Sequence, residues 1–118
     1  MSIARNLKIG VSGVRGVVGQ TLSPALVADF ASAFGEFLGG GRVIVGRDTR
    51  GAGEMLEDAV AAGLIAVGCQ PALAGIIPTP TAQIAAKLSN ASGAIAITAS
   101  HNPIEWNALK FIGPSGIF

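Results

Sequence analysis

The sequence contains no tyrosine and only one tryptophan, one cysteine and one histidine in 118 residues. The single cysteine, Cys69, cannot form a disulfide within the chain and is typical of proteins from a reducing cytoplasm. A zinc site built from this chain alone is not expected, because such sites need several His or Cys ligands. These scarcities point away from a disulfide-stabilised secreted protein and from a zinc protein.

Charge is also scarce. Charged residues make up 13% of the chain, the formal net charge is +1, and no basic run is present. Nucleic-acid binding normally needs a concentrated basic patch, so a nucleic-acid partner is not expected. No apolar run is long enough to span a bilayer, and the N-terminus lacks the apolar region of a signal peptide. We therefore expect a cytoplasmic protein without a membrane partner.

The chain is rich in small apolar residues and glycine. Half of its residues are hydrophobic, 5% are aromatic, and 17 are glycine. A core of Ala, Val, Ile and Leu is typical of a parallel sheet covered by helices.

Apolar periodicity and turn residues predict alternating strands and helices. Ser23 followed by Pro24 predicts the start of a helix, and Gly39 its end. The glycines of 13–19 predict a loop. The predicted strands are 8–11, 42–46, 72–76, 93–97 and 108–112, and the other predicted helices are 53–68 and 81–88.

This order, β-α-β-α-β-α-β-β, predicts a three-layer α/β/α fold. The sheet is expected to be mixed but mostly parallel, with right-handed crossovers and helices on both faces. The last strand, together with the residues after Gly116, predicts a C-terminal hairpin.

The most informative segment is 98–103 (TASHNP), which directly follows the apolar run 93–97. A short apolar run that ends in small polar residues and a proline predicts a buried strand leading into a loop. In open α/β sheets, ligands bind at the carboxyl ends of strands. Ser100 and His101 are therefore candidate functional residues.

Four segments, in the same order along the chain, resemble motifs of the α-D-phosphohexomutases, which include phosphoglucomutase, phosphomannomutase and phosphoglucosamine mutase. Segment 98–103 resembles their active-site serine loop. The others are 10–16 (GVSGVRG), 45–50 (VGRDTR) and 107–110 (NALK).

The resemblance implies that residues 1–118 form most of α/β/α domain I of a four-domain enzyme. It implies that Ser100 carries a phosphoryl group, that His101 lies in the active site, and that Lys110 contacts the phosphate or transfers a proton. The implied reaction interconverts hexose 1-phosphate and hexose 6-phosphate through a hexose 1,6-bisphosphate. Mg²⁺ would bind a phosphoserine oxygen of Ser100, with its other ligands in another domain. The fragment alone is expected to be inactive.

Other candidate residues would bind phosphate or shape the site. Arg15 lies between glycines, and a guanidinium binds phosphate through two parallel hydrogen bonds. Ser12 would add a hydroxyl, and Asn102 would fix the phosphate-binding loop through its side chain. Arg47, with Asp48, either contacts substrate or forms an ion pair that shapes the loop.

Two residues depart from the family pattern. Trp106 stands where tyrosine is more common, and Ala108 where glycine is usual. Both keep Lys110 in register but leave the subfamily and the sugar open.

Other interpretations of the same residues also stand. Ser100 could be an ordinary turn serine, His101 could only order the loop, and Lys110 and Arg15 could face solvent. A non-catalytic sugar-phosphate-binding module is one alternative function. A hydrolase or phosphatase with Ser100 as nucleophile is a weaker one, because adjacent Ser and His side chains diverge and no Gly-x-Ser-x-Gly elbow is present.

Overall fold

The computed structural model describes residues 7–10, 13–17, 22–48, 53–88, 90–98 and 106–113. Strands and helices alternate through most of these ranges, as the sequence predicts. The elements are β1 (Leu7–Gly10), β2 (Gly13–Val17), α1 (Pro24–Leu38), β3 (Gly41–Arg47), α2 (Gly53–Ala66), β4 (Cys69–Ile76), α3 (Thr79–Leu88), β5 (Gly93–Ile97) and β6 (Trp106–Ile112).

The strands form one mixed sheet in the order β1-β2-β6-β5-β3-β4. Strand β3 pairs in parallel with β4 and with β5. Strand β6 is antiparallel to both β5 and β2, and β2 is antiparallel to β1. The three-layer α/β/α fold with a mixed sheet is confirmed. Of the five pairings between the described strands, however, two are parallel and three are antiparallel, so the pairing is less parallel than the alternation of strands and helices predicts.

The predicted loop over 13–19 is wrong for Gly13–Val17, which is strand β2. It pairs with β1 on one side and β6 on the other, with Gly16 opposite Leu7 and Gly13 opposite Lys110. Hydrogen bonding from both sides stabilises a strand that its glycines disfavour locally. The residues after Gly113, on which the predicted C-terminal hairpin depends, lie outside the described residues.

Helix α1 begins and ends where the sequence predicts. The Ser23 Oγ accepts a hydrogen bond of 3.2 Å from the Leu26 amide, and Pro24 occupies the first helical position. Gly39 ends the helix in the left-handed conformation, with φ 81°. Among the described residues, no helix combines the length and apolar character required to cross a membrane.

Helices α1 and α2 cover one face of the sheet, and α3 covers the other. Successive residues of β3 and β5 alternate between the two faces, so each strand contributes to two apolar clusters. The core on the α1/α2 side includes Val27, Val43, Val45, Leu56, Val60, Leu64, Ile95, Ile97 and Leu109. The core on the α3 side comprises Ile44, Ala82, Ala91, Ala94, Ala96 and Ile112.

Helices α1 and α2 approach closely at Gly63. A Cβ atom added there would overlap the backbone of Ala28, which cannot move aside as a flexible side chain could. The Ser32 Oγ also donates a 2.8 Å hydrogen bond to the Gly63 carbonyl. The glycine therefore sets the spacing of the two helices.

We expect Gly63→Ala to lower the free energy of unfolding by about 1–3 kcal/mol, despite the better helix propensity of alanine, because the added methyl group pushes the helices apart. Chemical denaturation of the purified protein measures this. Ala62→Ser changes an exposed neighbour and is the control, with an expected effect within about 0.5 kcal/mol. A Gly63→Ala protein as stable as the parent would show that the helices can separate freely.

Candidate active site at the carboxyl edge of the sheet

The pairing of the strands brings several strand ends to one edge of the sheet. Strands β3, β4 and β5 run parallel, and β2 has the same direction because both β2 and β5 are antiparallel to β6. The carboxyl ends of β2, β3, β4 and β5 therefore lie at the same edge, together with the beginning of β6. We call this the carboxyl edge.

Strand β5 is buried along its whole length and leads to the serine loop. Thr98, the next residue, is half-buried, and its amide donates a 3.0 Å hydrogen bond to the Ala108 carbonyl of β6. The pairing with β6 thus continues one residue beyond the strand. The chain enters the serine loop from a fixed position, two residues before Ser100.

Asp48 connects the end of β3 to the end of β5. Its amide donates a 3.0 Å hydrogen bond to the Ile97 carbonyl. Its Oδ2 accepts a 3.0 Å hydrogen bond from the Thr98 Oγ1. A hydrogen bond to a charged acceptor is stronger than one between neutral groups, so Asp48 holds the start of the serine loop against β3.

Arg47 lies between the end of β3 and helix α2. Its Nη1 donates a 3.4 Å hydrogen bond to the Asp48 carbonyl, and its Nε lies 3.7 Å from the Glu57 Oε2. The side chains of Arg47 and Glu57 are only 19% and 10% exposed. A Cβ added to Gly53 would lie 3.3 Å from the Arg47 Cδ, so the start of α2 leaves just enough room for the arginine stem.

Lys110 lies on the other face of the sheet. It is opposite Ala96 of β5 and Gly13 of β2, and it is partly exposed. Alternation along the paired strands places it on the α3 side, with Ala96 and Ile112. The backbone of Arg15 is paired with Ala108, two residues from Lys110 along β6.

The structure thus brings the predicted residues together in two groups. Asp48 contacts both Arg47 and Thr98 at the carboxyl edge, and the Arg47 side chain lies on the α1/α2 side. Lys110 and the backbone of Arg15 lie on neighbouring strands, β6 and β2. The other predicted site residues, Ser12, Ser100, His101 and Asn102, lie outside the described residues.

Sequence reasoning missed the contributions of Glu57 and Thr98. Glu57 lies on the same stripe of α2 as Gly53, Val60 and Leu64, all of which are buried. An acid at helical spacing among apolar residues was the available signal. Thr98 carries a hydroxyl directly after a fully buried strand, where it can donate a hydrogen bond to a neighbouring carboxylate.

The described residues do not form a metal site by themselves. No group of three or more His, Cys, Asp or Glu side chains is close enough to hold an ion within those ranges. The Asp48 carboxylate at the carboxyl edge already accepts a hydrogen bond from Thr98. A metal ion at this edge would need ligands from outside the described residues.

Comparison with known proteins identifies the family. Residues 6–118 match the family model described as phosphoglucomutase/phosphomannomutase, alpha/beta/alpha domain I. The chain belongs to this family. The match extends from just before β1 to the last residue of the chain and confirms the resemblance carried by the four motifs.

Individual members of the phosphohexomutase family support the same assignment. The phosphoglucosamine mutase of Thermotoga sp. (strain RQ2) is 45% identical over 103 residues, which is 87% of this chain and 24% of that protein. The phosphoglucomutase/phosphomannomutase of Thermococcus kodakarensis is 45% identical over 113 residues, or 92% of this chain and 25% of that protein. The chain thus spans about a quarter of the length of these relatives.

A solved structure has the same fold. The phosphoglucomutase/phosphomannomutase family protein from Burkholderia thailandensis superposes with a TM-score of 0.81 at 34% identity. The match covers 91% of this chain and 26% of the Burkholderia chain.

We expect Thr98→Val to lower the free energy of unfolding by about 1–3 kcal/mol, because it removes the hydrogen bond to the Asp48 carboxylate while keeping the branched shape. Chemical denaturation measures the loss. Thr98→Ser keeps the hydroxyl and is the matched control, with an expected loss clearly below that of valine. A valine variant as stable as the parent would show that the hydrogen bond does not stabilise this position.

Proposed function

We propose that this domain carries the phosphoserine of a phosphohexomutase and that Ser100 is that residue. The protein that contains it would interconvert hexose 1-phosphate and hexose 6-phosphate through a bound hexose 1,6-bisphosphate. Family membership supports the reaction class. The single structural observation behind the choice of Ser100 is the fixed start of its loop, where Thr98 is hydrogen-bonded to both Asp48 and Ala108.

The proposed reaction consists of two phosphoryl transfers. In the first, a free sugar hydroxyl oxygen bonds to the phosphorus on Ser100, the bond from phosphorus to the Ser100 Oγ breaks, and the hydroxyl proton ends on that Oγ. The bisphosphate then turns around. In the second, the Ser100 hydroxyl takes the other phosphoryl group, and its proton goes to the sugar oxygen that is released. Catalysis of such transfers depends chiefly on positioning and on stabilising the charge of the phosphate.

Cationic residues would supply that charge stabilisation. Lys110 and Arg15 are placed on the adjacent strands β6 and β2, with Lys110 opposite Gly13 and Arg15 opposite Ala108. We propose that Lys110 contacts the transferring phosphate or moves a proton, that Arg15 and Ser12 bind phosphate, and that His101 and Asn102 act within the serine loop. Cationic residues on these two strands would suit this role because the transferring group carries negative charge throughout.

We propose that Mg²⁺ binds an oxygen of the phosphate on Ser100. The metal prefers oxygen ligands in octahedral array and would neutralise charge on the phosphoryl group. The family resemblance implies that the remaining ligands come from another domain, and the described residues form no ligand cluster of their own. Other domains of the same protein are therefore proposed partners. Hexose phosphate is the proposed small-molecule partner, and we propose that the protein acts in the cytoplasm.

Phosphopeptide mapping by mass spectrometry tests the role of Ser100 directly. We expect phosphate on Ser100 in full-length protein purified with phosphatase inhibitors, and exchange of that phosphate with added glucose 1,6-bisphosphate. Fragment ions must separate Ser100 from Ser89, Ser92 and Thr98, because all four lie between Lys87 and Lys110 in one tryptic peptide. Ser100→Ala should abolish both the label and sugar isomerisation.

Ser92→Ala is the matched control, because it removes a serine from the same peptide and should leave labelling unchanged. An unlabelled Ser100, even after incubation with the bisphosphate and Mg²⁺, would favour the non-catalytic binding module. Release of free phosphate without isomerisation would favour the phosphatase.

Substitutions that remove or keep the positive charge test the proposed role of Lys110. We expect Lys110→Met to lower kcat by about 100-fold or more, because removal of a group that stabilises transition-state charge costs on the order of 10²–10³ in rate. Lys110→Arg keeps the charge and should lose less. Isomerisation of glucose 1-phosphate, mannose 1-phosphate and glucosamine 1-phosphate is measured in parallel, so that the same assay shows which of these sugars is used. Full activity in the methionine variant would contradict the proposed role.

A further inference from the structure

Glu57 is the one charged side chain in the buried class among the described residues, with 8% of its surface exposed. It lies on α2 in the stripe that packs against the sheet. Burying a carboxylate is costly unless a cation or hydrogen-bond donors compensate for it. A buried acid this close to the carboxyl edge therefore needs an explanation.

Arg47 provides the compensating charge. The Glu57 Oε2 and the Arg47 Nε are 3.7 Å apart, and among the described residues neither atom has a hydrogen-bond partner. These two buried atoms are therefore compensated by the opposite charge that each faces. Removing one charge from such a pair leaves the other buried and uncompensated.

The pair is continuous with the contacts that hold the serine loop. Arg47 donates through Nη1 to the Asp48 carbonyl, and the Asp48 carboxylate accepts from Thr98. We call Glu57, Arg47, Asp48 and Thr98 the β3–β5 clamp. It extends from helix α2 across the ends of two parallel strands and ends two residues before Ser100.

We propose that Glu57 is a positioning residue, which acts through Arg47 and the rest of the clamp to place the serine loop for phosphoryl transfer. This inference rests on the proposed function. The sequence leaves two roles open for Arg47, which are contact with substrate and an ion pair that shapes the loop. The Arg47 side chain is directed towards α2, on the face opposite Lys110, so its role is to shape the loop and not to grip the phosphate.

The expected effect is on rate, with little effect on binding. Phosphoryl transfer requires the attacking and leaving oxygens to be nearly in line, and a misplacement of about 1 Å far from the chemistry can cost on the order of 100-fold. A loosened clamp would displace Ser100 but would leave the proposed phosphate-binding residues of β2 and β6 in place.

The experiment compares Glu57→Gln with Glu54→Gln in the full-length protein. Both changes neutralise an acid on α2, but Glu54 is exposed and outside the clamp. After dephosphorylation, the rate of Ser100 labelling by glucose 1,6-bisphosphate is measured over a range of concentrations. We expect Glu57→Gln to lower the maximal rate about tenfold and to change the half-saturating concentration less than about twofold. Glu54→Gln should match the parent.

A double variant tests whether the clamp acts as a unit. Arg47→Met should show the same loss of maximal rate, and Arg47→Met combined with Glu57→Gln should be no slower than the slower single variant. Thermal unfolding is recorded for each protein. If Glu57→Gln is unfolded at the assay temperature, Glu57→Asp, which keeps the charge on a shorter side chain, replaces it with the same expected loss in maximal rate.

Three results would overturn the inference. A Glu57→Gln protein that labels like Glu54→Gln shows that the clamp does not position Ser100. An Arg47→Met protein that changes the half-saturating concentration, with an unchanged maximal rate, shows that Arg47 binds phosphate directly. Parent protein that accepts no phosphate on Ser100 removes the proposed function and this inference together, which distinguishes it from the first two results.

Discussion

The parallel pairing of β3 with β5 at the centre of the sheet is the constraint on which the candidate site depends. Strand β5 is covered on both faces, by α1 and α2 on one side and by α3 on the other. Polar groups cannot be accommodated within such a strand without a partner, so they occur only where it ends. The burial of β5 therefore places Thr98 at the carboxyl edge.

The carboxyl edge is organised by hydrogen bonds between strand ends. The Asp48 carboxylate accepts a hydrogen bond from the Thr98 hydroxyl, and the Asp48 amide donates one to the Ile97 carbonyl. The ends of β3 and β5 therefore form one unit. Helix α2 joins this unit through Glu57 and Arg47. In general, a loop that begins from such a unit loses less conformational freedom when a ligand binds, which is the physical advantage of building a site on strand ends.

Much of the fold follows from local chemistry. The start and end of α1 follow from the Ser23 cap, Pro24 and Gly39, and each of these features is visible in the sequence and confirmed in the structure. The run 93–97 was predicted as a buried strand and is one. Strand β2 was not predicted, because glycines at 13 and 16 disfavour a strand locally and only hydrogen bonding from β1 and β6 stabilises it.

The sequence by itself determined the three-layer fold class, the family and the place of Ser100 after a buried strand, because periodicity, caps and motifs are local properties. Only the tertiary structure showed that Glu57 faces Arg47, that Thr98 bonds to Asp48, and that Arg47 and Lys110 lie on opposite faces. These pairs are separated by ten to sixty-three positions along the chain. Their contacts arise from the pairing order and direction of the strands, which depend on long-range hydrogen bonding and burial that no local pattern encodes.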